Sequence, residues 1–97
     1  MFNIEMTPLA LKQIKEIKKR ESKQGLLKQI TKTIRFLSEN PRHPSLHTHK
    51  NQKLSNLHNQ DIFQSYVQND TPGAYRIFFI YSAKNEITIT SIEAHPD

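Results

Sequence analysis

Tyr75-Arg76-Ile77-Phe78-Phe79-Ile80-Tyr81, followed after Ser82-Ala83-Lys84-Asn85 by Glu86-Ile87-Thr88-Ile89-Thr90-Ser91-Ile92, decides how this chain folds. Both runs are rich in β-branched and aromatic residues, which suit a pleated, half-buried surface. The short polar segment between them reads as a hairpin loop. In the first strand Tyr75, Ile77, Phe79 and Tyr81 share one face, and Arg76, Phe78 and Ile80 the other. The second strand breaks parity. Ile87 and Ile89 share a face while Ile92 and Ala94 belong to the other, so a bulge or bend is expected near Ser91. Arg76 opens an otherwise apolar face, and His95 follows the second strand. The start of one hairpin strand lies beside the end of its partner, so Arg76 and His95 are expected as neighbours. A fixed cation beside a titratable imidazole is the beginning of an anion site.

Upstream of the hairpin, Ile62 to Gln68 reads as a further strand, with Phe63 and Val67 on one face and Gln64, Tyr66 and Gln68 opposite. Asn69-Asp70-Thr71-Pro72-Gly73 is a turn. At the other end of the chain, Phe2-Asn3-Ile4-Glu5-Met6 alternates apolar and polar, the pattern of a short strand. Thr7-Pro8 then supplies an N-cap and a first helical residue. Ala10, Leu11, Ile14 and Ile17 keep helical spacing. Gly25 interrupts that pattern, and a second helix begins near Leu26 with Leu27, Ile30, Ile34 and Leu37 as its stripe. Phe36 falls off the stripe. Asn40-Pro41 ends the helix, because the residue before proline resists the α region.

The fold class is therefore α+β: an N-terminal strand, a helical hairpin and a three-stranded antiparallel meander, with both helices on one face of the sheet. The helices are expected on the face carrying Ile77 and Phe79. A length of 97 residues makes one domain, residues 1–97, with one modest core. No apolar run approaches the ~20 residues a membrane span needs. No basic-then-apolar leader opens the chain and there is no cysteine, so a cytoplasmic protein is the simplest expectation. The net charge of +5 favours a polyanionic partner, nucleic acid or an acidic protein. Most of the cations lie on the two helices, dispersed around their polar faces rather than gathered in a row.

Pro41 to Gln60 reads as an extended loop holding His43, His47, His49 and His58. It offers no cysteine, few carboxylates and no helical i, i+4 histidine pair, so neither a metal nor another cofactor is assigned. His47-Thr48-His49-Lys50 stands out within it.

Strand, helical hairpin, Asn40-Pro41, a His-Lys loop and a closing meander with Tyr75-Arg76 and terminal His95 together resemble the RelE/ParE superfamily of bacterial toxins. The resemblance spans essentially the whole chain. It implies a toxin neutralised by a cognate acidic antitoxin, acting either as an endoribonuclease on ribosome-bound mRNA or as an inhibitor of DNA gyrase. A catalytically inactive member that only binds its antitoxin is the third alternative. Carried over, Arg76 matches the arginine that contacts the scissile phosphate, His95 the basic or titratable residue closing the last strand, and His49 a loop histidine found in YafQ-like members. Gln64 and Tyr66 stand where RelE carries two lysines, a departure that leaves room for a histidine-based mechanism.

Cleaving RNA through its own 2′-hydroxyl needs a base, an acid and a cation for the phosphorane. Arg76 suits the phosphate because its planar fork binds oxygens in pairs. His95 is assigned the general acid and His49 the base. Lys50 and Lys53 are assigned to the RNA backbone, and Gln64 and Tyr66 to substrate contact.

Overall fold

A computed structural model describes residues 1–69 and 73–94. Five strands form one sheet: β1 (Asn3–Met6), β2 (His49–Lys50), β3 (Phe63–Tyr66), β4 (Tyr75–Ala83) and β5 (Glu86–Ala94), in the order β1-β5-β4-β3-β2. β3, β4 and β5 are the expected antiparallel meander. β1 lies parallel to β5, from Asn3 opposite Glu86 to Met6 opposite Ile89. Between β1 and the meander run α1 (Pro8–Lys18) and α2 (Gln24–Glu39).

The helix signals act as their chemistry dictates. The Thr7 side chain accepts from the Ala10 N–H at 3.2 Å, and its hydroxyl donates to the Thr90 carbonyl at 2.9 Å. One residue thus caps α1 and fixes it to β5. α2 starts at Gln24, ahead of Gly25, so the glycine lies within its first turn and does not break the helix. The Gln24 amide donates to the carbonyl of Lys18, the last residue of α1, and to that of Arg20, which also accepts from the Lys23 N–H. Ile30 and Leu37 of the expected α2 stripe are buried, together with Leu26 and Thr33; Leu27 and Ile34 flank them, half-buried. Leu11 of α1 is exposed, and Ala10 and Ile17 are its buried residues.

These helices cover Ile77, Phe79, Ile87, Ile89 and Ile92, all sealed from solvent. Burial of each such side chain stabilises by roughly 1.5–3 kcal/mol. All three isoleucines of β5 enter one core because the register jumps: Phe78 pairs with Ser91 but Phe79 with Ile89, leaving Thr90 as the extra residue of a bulge.

The stretch from Pro41 to Gln60 is a correction. It holds a single 3-10 turn (Pro44–Leu46), the edge strand β2 and a helix α3 (Gln52–His58). Asn51 caps that helix by accepting from the Leu54 N–H, and Asn59 closes it in the left-handed region at φ 51°. Ser55 ties it to the lead-in of β3: its hydroxyl accepts from the Ile62 N–H and donates to the Ile62 carbonyl. Leu54 and His58 line a groove over Phe78 and Ile80, so the second sheet face is less open than the alternation suggests, and Phe78 is buried. Among the described residues, no helix is long and apolar enough to cross a membrane.

Candidate active site

Strand pairing assembles the site. Tyr66 on β3 is the cross-strand partner of Arg76 on β4, and His49 on β2 is the partner of Gln64, two residues from Tyr66. Cross-strand partners share a face, so Arg76, Tyr66 and His49 stand together on the side opposite Ile77 and Phe79. The Arg76 guanidinium carbon lies 3.7 Å from the centre of the Tyr66 ring. The rings of His47 and His49 approach the same tyrosine, at 5.3 Å and 6.0 Å between centroids. One aromatic ring therefore carries a cation and two imidazoles.

Arg76 is the unusual member. Its Nε and Nη1 are sealed from solvent and meet no hydrogen-bond acceptor among the described residues. Both obvious counter-charges are engaged elsewhere or out of reach. Asp61 is bound to Lys50 at 2.9 Å, and Glu93, although the cross-strand partner of Arg76, makes no ion pair with it among the described residues. An unsatisfied buried donor costs about 1–3 kcal/mol, and more when charged. The cation–π contact returns only part of that, about 0.5–2 kcal/mol. Among the described residues, no anion faces these two nitrogens.

The loop bearing the histidines is held firmly. His47 adopts the left-handed region at φ 48°, a costly conformation for a non-glycine residue. Thr48 then turns inward, its hydroxyl 2.6 Å from that of buried Ser65. The His49 Nδ1 lies 2.9 Å from the His47 carbonyl. A carbonyl only accepts, so Nδ1 carries the proton and the neutral ring keeps its Nε2 lone pair free, the form a proton acceptor requires.

Arg76, Tyr66 and His49 are thus brought together, and His95 lies outside the described residues. Lys50 is occupied with Asp61, and Lys53 projects from α3 into solvent. Gln64 is buried, its side-chain oxygen taken by the Asn51 amide at 2.7 Å, which makes it a brace for the loop. His47 joins the site without having been assigned to it; its left-handed turn just ahead of β2 brings its ring to Tyr66, a placement that strand alternation does not foretell. Among the described residues, no group of three or more His, Asp or Glu could hold a metal ion.

No protein-family model matches this chain, and no curated protein matches its sequence. Solved structures do match. The YoeB dimer from Staphylococcus aureus superposes with a TM-score of 0.70 at 18% identity, covering 98% of both chains. The chain has the fold of this YoeB toxin. A heterotetrameric YoeB-YefM toxin-antitoxin complex from Staphylococcus aureus gives the same TM-score of 0.70 at 20% identity over 99% of each chain. A YoeB/ParE toxin from Agrobacterium tumefaciens matches at 0.70 with 9% identity, covering 98% of this chain and 100% of its own. The fold is thus shared over nearly the whole chain.

Proposed function

We propose that this chain is the toxin of a type II toxin-antitoxin pair and cleaves ribosome-bound mRNA without a metal. The observation that carries the reading is the Arg76 guanidinium, its Nε and Nη1 without a partner among the described residues, held over Tyr66 beside a histidine whose Nδ1 faces a carbonyl. In this reading His49 Nε2 removes the proton from the 2′-hydroxyl, whose oxygen attacks the adjacent phosphorus. Arg76 balances the charge that accumulates on the phosphorane. The bond to the 5′-oxygen breaks, His95 protonates that oxygen, and a 2′,3′-cyclic phosphate remains. Tyr66 fixes the guanidinium plane. Lys50 and Lys53 contribute positive charge to the RNA backbone, and Gln64 acts through Asn51 and the loop.

A toxin needs a partner that silences it. The YoeB-YefM complex supports an antitoxin for this chain, and its net charge of +5 favours an acidic one. The groove over Phe78 and Ile80 adds apolar surface to that contact. The A. tumefaciens structure, named YoeB/ParE, keeps gyrase inhibition as the second reading, which needs no proton transfer. Purified protein is tested on a defined mRNA in translating ribosomes, beside a gyrase supercoiling assay. Cleavage that disappears in Arg76→Ala supports the nuclease. Intact mRNA with inhibited gyrase selects the alternative.

A further inference from the structure

A second feature touches the same tyrosine. α2 and the end of β3 enclose a groove lined by Gln29, Lys32 and Phe36 on the helix and by Leu46, Tyr66 and Val67 opposite. Among the described residues, no carboxylate lines it. Phe36, which has no place on the buried stripe of its helix, stacks flat on His43, with centroids 4.5 Å apart and an interplanar angle of 6°. Two cations approach the Phe36 ring: Lys32 Nζ at 5.6 Å and the Arg35 guanidinium at 5.5 Å from its centre. His43 is oriented by Ser45, whose N–H donates to Nδ1 at 3.2 Å. The stack alone has a simple purpose, pinning the segment after Asn40 to α2. That purpose does not account for two exposed cations beside it, nor for a groove that continues to Tyr66.

We propose that this groove holds the RNA strand next to the cleaved linkage, with Lys32 and Arg35 on its phosphates and the half-buried Phe36-His43 pair offering a π surface to one base. The proposal rests on the nuclease reading of the Arg76 site and extends it by a subsite. Single-stranded nucleic acid is the ligand that joins the two chemistries present, regularly spaced negative charge and flat rings. The groove beside α1 makes the contrast: there Lys12, Arg20 and Lys23 are accompanied by Glu16 and Glu93, which offset them.

The test uses the full-length chain and a fluorescent 2′-O-methyl RNA octanucleotide, which cannot be cleaved, beside the matching dinucleotide. Variants are the pair Lys32→Glu with Arg35→Glu, Phe36→Leu, and Arg76→Ala, each with circular dichroism as a folding control. The parent is expected to bind the octamer more tightly than the dimer. The charge pair should weaken octamer binding about tenfold or more and lower its salt slope by ~0.7 for each phosphate that is no longer neutralised. Dimer binding should stay unchanged in that variant. Phe36→Leu, which keeps bulk but removes the ring, should weaken the octamer alone. Unchanged octamer affinity in the folded groove variants overturns the subsite. So does equal competition by decaglutamate, which would mark a mere cation patch, or loss of decaglutamate binding with RNA binding intact, which would assign the groove to an acidic protein. Groove variants that lose the octamer while Arg76→Ala loses neither RNA would support the groove and reject the Arg76 site.

Discussion

Arg76 and Ile77 are neighbours in sequence and opposites in environment. Ile77 faces the helices and is completely buried among apolar side chains. Arg76 faces away, half-buried on an aromatic ring with two nitrogens bonded to nothing among the described residues. One side of the sheet is closed by apolar packing, and the other keeps a cation with two donors unmet among the described residues. Stability and function are therefore separable here at the level of adjacent residues.

The sharpest way to break this contrast is on the helix-covered side. Phe79→Ala should cost about 3–5 kcal/mol, the usual range for a buried aromatic, and chemical denaturation should show a large share of the roughly 5–15 kcal/mol of such a domain gone. A loss below about 1 kcal/mol would mean that the helices do not depend on this face. On the other side, Arg76→Ala should lower cleavage about a hundredfold, equivalent to ~3 kcal/mol of transition-state stabilisation. Arg76→Lys should recover little of it. Arg76→Met should melt at the same or a higher temperature, because it removes a half-buried cation with two sealed donors that have no partner among the described residues. A drop of more than about 1 kcal/mol in its stability would recast the guanidinium as structural.

Two smaller effects sharpen the picture. Thr7→Ala should cost about 1 kcal/mol by removing the cap of α1, measured by denaturant midpoint with cleavage unaffected. Thr7→Asp should restore the cap but not the bond to the Thr90 carbonyl, since a carboxylate cannot donate. Lys50→Ala breaks only a partly exposed ion pair with Asp61 and should change stability by less than about 1 kcal/mol. A greater loss of cleavage than of stability in that variant would put Lys50 on the RNA.

Periodicity explains what could be read without coordinates. The hairpin, the cap at Thr7, both long helices and the bulge near Ser91 all leave a mark on the spacing of apolar residues, and all are present. α3 leaves almost none, because it offers only two leucines and Leu57 is 73% exposed. It stands instead on polar bonds, from Asn51 at its start and Ser55 to Ile62, which hydrophobic patterning does not register. The parallel pairing of β1 with β5 was equally silent, since partners distant in sequence share no local signal. In the site, alternation put Gln64 and Tyr66 on one face, but not which would be sealed: Gln64 is 6% exposed and braced by Asn51, whereas Tyr66 is half-buried and receives Arg76. Phe36 was conspicuous for fitting nowhere, and its partner His43 comes from a segment whose course only the fold determines.

Thr90 has one more consequence. Without it, Ile87, Ile89 and Ile92 would alternate regularly with Thr88, Ser91 and Glu93, and the partners of Phe78 and Phe79 would become consecutive. The ladder has no use for this residue; β5 carries one position of slack. The slack serves elsewhere, for the Thr90 carbonyl anchors Thr7 at the head of α1 and its hydroxyl donates to the Phe78 carbonyl. A spare residue in the strand is thus the mounting bracket of the helix.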